Sequence, residues 1–294
     1  MDSLDRSSDY EVMSNEAPTA LILGGTGRTG SLLAGKLARR GISTRTAARR
    51  GADVRFDWDD PDAYGDALSG VDRLYLVTPV LRVSYADQVA GFLDLAETSG
   101  VRHVTFLSTY NADHAPQGID IAAVEADLAA RQAITHCVLR PAWVMQNFAD
   151  DHLPVIDGVI AAPSGGGAEA FVDANDIAAV AAETLLAPTA HAGARYTLTG
   201  PQALGFGEVA DIISAAAGRP VLYHDIGQEA WINGALAAGV PADYAVMLRW
   251  LTGAIIAGNG SVPTDDIEKV TGRPPATFRE FADRNARSWT VEAT

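Results

Sequence analysis

The chain has 294 residues, 48% of them hydrophobic, and a formal charge of −15. A chain of that length buries roughly three quarters of its unfolded surface without help from disulfides or metals, and its acidic excess would repel the phosphate backbone that nucleic-acid binding depends on. One cysteine, Cys137 in the apolar run HCVLR, rules out an intrachain disulfide or a cysteine metal cluster and fits a reducing cytoplasm. No metal site is expected.

Residues 1–17 carry five acids against one base and lack a secretory apolar stretch, so they are expected to form a disordered leader. No apolar run reaches the roughly 18 residues of a membrane span. From Thr19, an apolar strand (ALIL), a glycine-rich turn, an amphipathic helix to about Arg40 and a second strand (STRTAA) make a βαβ unit. Asp60-Pro61 reads as a cap and first helical position for a helix through Leu68. VDRLYLVT is a buried strand; a helix from Ser84 to Ala96 ends at Gly100, and VRHVTFLS follows as the next strand. A helix over 119–131 leads into the strand ITHCVLR, which Pro141 stops.

Beyond Leu153 the spacing loosens around Gly165-Gly166-Gly167. Asp176 is expected to cap a helix to Leu186, followed by the strand RYTLTG, a helix over 208–217, the strand VLYHDI and helices near 228–238, 241–257 and 276–288. The alternation predicts a Rossmann-type, doubly wound α/β fold with a parallel sheet. Residues 18–153 would be the dinucleotide-binding domain, and 154–294 a smaller α+β substrate lobe interleaved with the sheet.

The turn GGTGRTG sets Gly24, Gly27 and Gly30 between strand and helix, with Thr26, Arg28 and Thr29 among them. Bare backbone at a helix N-terminus is what a pyrophosphate needs. An NAD-preferring site usually offers an acid about 20 residues past the first glycine, to hold the ribose 2′-hydroxyl. This chain has TRTAARR there, so Arg49 and Arg50, with Arg28, point to a 2′-phosphate and hence NADP(H). A solvated basic turn is the plainer alternative.

With GGTGRTG, AARRGADVRFDWDDP, GVDRLYLVTP, VRHVTFLST, LRPAWVMQNF, FVDANDIAAVAAETL and TGRPPATFREFA in view, the chain resembles the NmrA-like branch of the atypical short-chain dehydrogenases from about Thr19 to Trp289. That branch includes quinone reductases, ergot-type imine reductases, oxidoreductase-like proteins of aromatic polyketide (antibiotic) pathways, and cofactor-sensing regulators. The resemblance implies that Asp57 and Trp58 lie beside the adenine and Val77, Thr78 and Pro79 along the ribose. Leu107, Ser108 and Thr109, with Pro141 to Val144 and so Trp143, would border the nicotinamide.

The pattern departs from ordinary short-chain dehydrogenases in its proton chemistry. Those enzymes use a tyrosine and a lysine four residues apart, the lysine lowering the tyrosine pKa. Here Gln117 and Ile121 fall in those places, and the only lysines are Lys36 and Lys269. Ser108, Tyr110 and His114 remain as candidate catalytic groups. Trp143, Phe148, Trp231 and Trp250, with Met145, Tyr244 and Met247, are candidates to line a pocket for a flat polycyclic molecule. The expected function is NADPH-dependent reduction of a quinone-like or conjugated aromatic substrate. In the setting the family suggests, the reduced product's reaction with O2 would give a net hydroxylation, as a monooxygenase does. The alternative is a non-catalytic NADP(H)-sensing regulator. The expected partner is a small aromatic molecule, with a homodimer or a partner enzyme as the protein associations left open.

Overall fold

A computed structural model describes residues 18–150 and 152–290. The expected leader at 1–17 lies outside them. Strands β1 (Thr19–Leu23), β2 (Ser43–Ala48), β3 (Val54–Arg55), β4 (Arg73–Leu76), β5 (His103–Leu107) and β6 (Thr135–Pro141) alternate with helices α1 (Arg28–Arg39), α2 (Tyr64–Leu68), α3 (Ala86–Thr98) and α4 (Ile121–Ala130). The later chain gives β7 (Val155–Ile156), β8 (Val159–Ala161), β9 (Ala168–Glu169), α5 (Ala174–Leu186), β10 (Ala194–Leu198), β11 (Leu204–Gly205), α6 (Phe206–Ala217) and β12 (Leu222–His224). It ends in four helices: α7 (Gln228–Ala237), α8 (Ala245–Ile256), α9 (Asp266–Thr271) and α10 (Phe278–Asn285).

The central sheet runs β10-β6-β5-β4-β1-β2-β3, with every pairing parallel. Parallel strands covered on both faces read as continuous apolar runs, which is why ALIL and RLYL are buried almost throughout. One apolar cluster joins α2, α3 and α4 to one face, and a second joins α1 and α5 to the other. This is the expected doubly wound Rossmann-type α/β fold. The sheet draws its outer strand β10 and its covering helix α5 from beyond residue 153. A third cluster, built on Phe148, Phe171, Phe206 and Phe278, holds the smaller lobe, whose short strands pair as β12-β8-β7 and β11-β9.

Several local expectations are corrected. Pro61–Ala63 is a 3-10 turn before α2, and Asp60 makes no side-chain cap. Helix α3 starts at Ala86 rather than Ser84, because Asp120 at the foot of α4 accepts the Tyr85 and Ala86 amides at 2.6 and 2.8 Å. Asp173, not Asp176, caps α5 by accepting the Asn175 amide at 2.8 Å. Asp176 is instead buried, 2.9 Å from the Arg273 guanidinium and accepting the Ala276 amide at 2.7 Å. Helix α9 was not foreseen, and α10 carries a capping box of Thr277 and Glu280.

Candidate active site

The sheet's carboxyl edge carries two adjoining features, a glycine turn at the start of α1 and an aromatic cavity. At the turn, β1 ends in Gly24, whose φ of +64° favours glycine. Gly30 sits so close beneath the turn that a Cβ there would come within 2.2 Å of the Gly24 carbonyl oxygen. Helix α1 begins after Gly27 with no side-chain cap and no acid in its first turn, so its amides are free to meet an anion. The residues present fit a dinucleotide pyrophosphate. Thr29 accepts the Tyr75 hydroxyl at 3.1 Å, tying the turn to β4, and Val77 lies against Gly24.

Arg49 and Arg50 follow β2 directly, and the next residue, Gly51, lies against Thr26 of the turn. The nearby acids Asp60 and Asp59 pair with Arg55 and Arg82, leaving Arg49 and Arg50 without an acidic partner among the described residues. Arg28 is turned elsewhere. It bonds Asn147 at 2.8 Å and Asp150 at 2.6 Å and touches His152, so it ties the turn to the segment after β6 instead of joining the arginine pair. Trp58 is partly buried in an aromatic group with Phe56, Tyr64 and Phe92, and Asp57 accepts the Asp59 amide at the start of that turn. Thr78 bonds Tyr85, which fixes the chain beyond β4, and Pro79 is buried.

The cavity, about 950 Å³, opens beyond the ends of β5 and β6 under α7 and α8. Trp143, Trp231, Trp250, Tyr244 and Tyr110 supply its aromatic walls, and Val80, Leu81 and Ile156 its exposed apolar rim. Thr109 and Pro141 reach it; Leu107 ends β5 just behind. The two covering helices are locked to each other by Gln228, which donates to Thr252 at 2.9 Å, and by Arg249 on Glu229, both bonds at 2.9 Å.

Five expected residues do not face this space as foreseen. Phe148 is 1% exposed, in the phenylalanine core of the lobe, because its 3-10 turn points it away from the cavity. Met145 and Met247 are buried likewise. Ser108 donates at 2.6 Å to buried Glu125, which also takes the Arg140 guanidinium at 3.0 and 2.6 Å; this serine is fixed in a polar network under the sheet edge. His114 ends an exposed 3-10 turn and does not line the cavity. Of the three candidate catalytic groups only Tyr110 reaches it, and its hydroxyl donates to the Asn259 carbonyl at 2.6 Å. Gln117 is exposed and Ile121 buried, so α4 offers no tyrosine–lysine relay.

The group that the sequence reading missed is Glu169, on the cavity wall at the end of β9. It is 2% exposed, and among the described residues its carboxylate's one hydrogen-bonding partner is the Trp143 amide, at 3.4 Å. Burial pushes its carboxyl up to about 7, with that amide pulling weakly the other way. Burial, and then Glu169, in turn push the Tyr110 phenol up. Nothing in GGGAEAFV marks the glutamate: it sits on a two-residue strand in what reads as a loop.

This chain matches the NmrA-like family model over residues 16–252. It belongs to that family. The NmrA-like chain is 37% identical to an uncharacterised oxidoreductase, YesF, of Bacillus subtilis, over 92% of this chain and 96% of that one. It is 32% identical to an NAD(P)H azoreductase of Xenophilus azovorans, over 92% and 98%. Among solved structures it superposes on the NADPH-dependent quinone oxidoreductase QOR2 of Escherichia coli with a TM-score of 0.71, at 24% identity, over 90% of this chain and 99% of that one.

Proposed function

We propose that this NAD(P)H-dependent oxidoreductase uses NADPH to reduce flat, conjugated, electron-poor aromatic molecules, quinones foremost. The observation that carries the reading is the cavity of about 950 Å³ with three tryptophans on its wall, adjoining the glycine turn at the sheet's carboxyl edge. A cavity of that size and lining suits a polycyclic ring system, and doubly wound folds hold their ligands at that edge. When bound, the cofactor supplies a hydride. The chain's part is to stack the acceptor between Trp143, Trp231 and Trp250, to exclude water under α7 and α8, and to hold the reacting atoms close. A quinone accepts hydride into a delocalised system, so a site without a tyrosine–lysine relay suits it better than a ketone. The reductase names among the relatives support this reading, an azo bond being another conjugated, electron-poor acceptor.

A reduced, electron-rich polyphenol can itself react with O2. Run in air, the same site would then give net hydroxylation without flavin or metal. No helix among the described residues is long and apolar enough to cross a membrane, consistent with a small-molecule acceptor met in water. The test follows NADPH oxidation with a panel of polycyclic quinones and ketones of similar size, under nitrogen and in air. Quinones should turn over and ketones should not, and oxygenated product should form only in air. Tight NADPH binding with no turnover of any acceptor would reassign the protein as a cofactor sensor.

A further inference from the structure

Among the residues lining the cavity Glu169 is the one acid, and it has no cationic partner among the described residues. The turn after α8 serves it twice. Gly260 makes room for the carboxyl: a Cβ at that position would come within 1.9 Å of Glu169 Oε2. Asn259 accepts the Tyr110 hydroxyl proton, which turns the tyrosine's own donor away from the cavity. An unpaired buried carboxylate is costly, and a residue cleared into place at such a cost calls for a use.

We propose that Glu169 is the acid that delivers the product's proton, its carboxyl O–H protonating the anion formed when hydride reaches a neutral acceptor in the aromatic cavity. This rests on the reductase reading above. A quinone that takes the hydride on one carbonyl oxygen forms its first O–H bond there, gains two electrons and becomes the hydroquinone monoanion. The Glu169 O–H bond then breaks, its electron pair stays on the carboxylate, and the proton forms the second O–H bond of the hydroquinone. Water reprotonates Glu169 after product leaves. In sum NADPH, one proton and quinone give NADP⁺ and hydroquinone.

Other groups on the wall are less suited. Tyr244 has its phenol pushed up by burial, and His152 at the rim is held by Arg28 and Asp150. The neighbours that bear on the titration of Glu169 are few. Strand β11 has no ionisable group, Glu208 of α6 is spent on the Gly205 amide, and Arg249 of α8 is paired with Glu229. The loop after β5 contributes Tyr110 as its one ionisable group on the wall, and residues 257–260 contribute no ionisable group. Burial therefore raises the carboxyl to about 7, so that it can carry a proton near neutral pH.

The test compares wild type with Glu169→Gln on two acceptors: a neutral naphthoquinone, which needs a proton after hydride, and a cationic triarylmethane dye, which becomes neutral on accepting hydride and needs none. The variant should lose about 10- to 100-fold in kcat on the quinone, with a loss at least tenfold smaller on the dye and unchanged NADPH affinity. Wild-type quinone turnover should fall as pH rises through about 7, and the variant should lack that limb. Infrared titration of the cofactor-free protein gives an independent readout: a protonated-carboxyl band should bleach over the same range in wild type and be missing from the variant. Equal losses on both acceptors, or no such band, would overturn the acid while leaving the reductase reading intact. Wild type that reduces neither acceptor would remove that reading, and the acid with it.

Discussion

Arg49 and Arg50 stand beside the glycine turn without acidic partners among the described residues, so a 2′-phosphate would find two guanidinium groups uncommitted. Replacing both by alanine should cost about 2–3 kcal/mol of NADPH binding, the worth of charge-assisted bonds. NADH binding should barely move, and calorimetry with the two cofactors checks the difference. Glu169 makes a second prediction, about stability. Its folded carboxyl titrates near 7, above the ordinary 4.5, so between those values the native state holds more protons than the unfolded chain. Stability therefore falls as pH rises through that window, by up to ~3 kcal/mol from this one group. Glu169→Gln should raise Tm more at about pH 8.5 than at about pH 5, in thermal melts of the cofactor-free protein. The sequence offered no sign of this residue because what perturbs it is burial under the turn at Asn259-Gly260, some ninety residues downstream, and not a neighbour in the chain.

At the scale of elements, the glycines of the turn divide their work between fold and ligand. Gly30 packs α1 against the turn, where a Cβ meets a backbone oxygen at 2.2 Å; at Gly27 the nearest contact is 3.1 Å. Gly30→Ala should therefore destabilise the protein by about 1–3 kcal/mol and also lose NADPH. Gly27→Ala should leave the melt within about 1 kcal/mol of wild type and weaken NADPH at least about tenfold by crowding the bound phosphate. Melting and cofactor titration of the pair separate the two roles. The order of these elements was legible in the sequence, because a parallel sheet needs continuous apolar strands and glycine turns, and both are local signals. What was not legible lay in side-chain direction. Phe148 and Trp143 are five residues apart in one motif, yet one fills the lobe's core and the other the cavity. Ser108 and Thr109 are adjacent just beyond β5, yet the serine bonds Glu125 and only the threonine reaches the cavity.

Across the whole molecule, the sheet and the lobe are threaded through one another. Strand β6 is bonded on its outer side by β10, and α1 lies under α5, so a fragment ending at residue 153 would expose a bare parallel edge and an apolar helix face. Such a fragment should be insoluble or fail to bind NADPH, as gel filtration and cofactor titration of residues 18–153 against the full chain would reveal. The same threading bears on how the protein is made. As the chain leaves the ribosome, six strands of the sheet are available by Pro141, but the seventh arrives only with Leu198, after more than fifty further residues have been translated. During that interval the edge at β6 lacks its partner, so slowing translation between those two points should lower the yield of active protein without altering a single contact of the native state, as expression of a gene recoded with slow codons there would test.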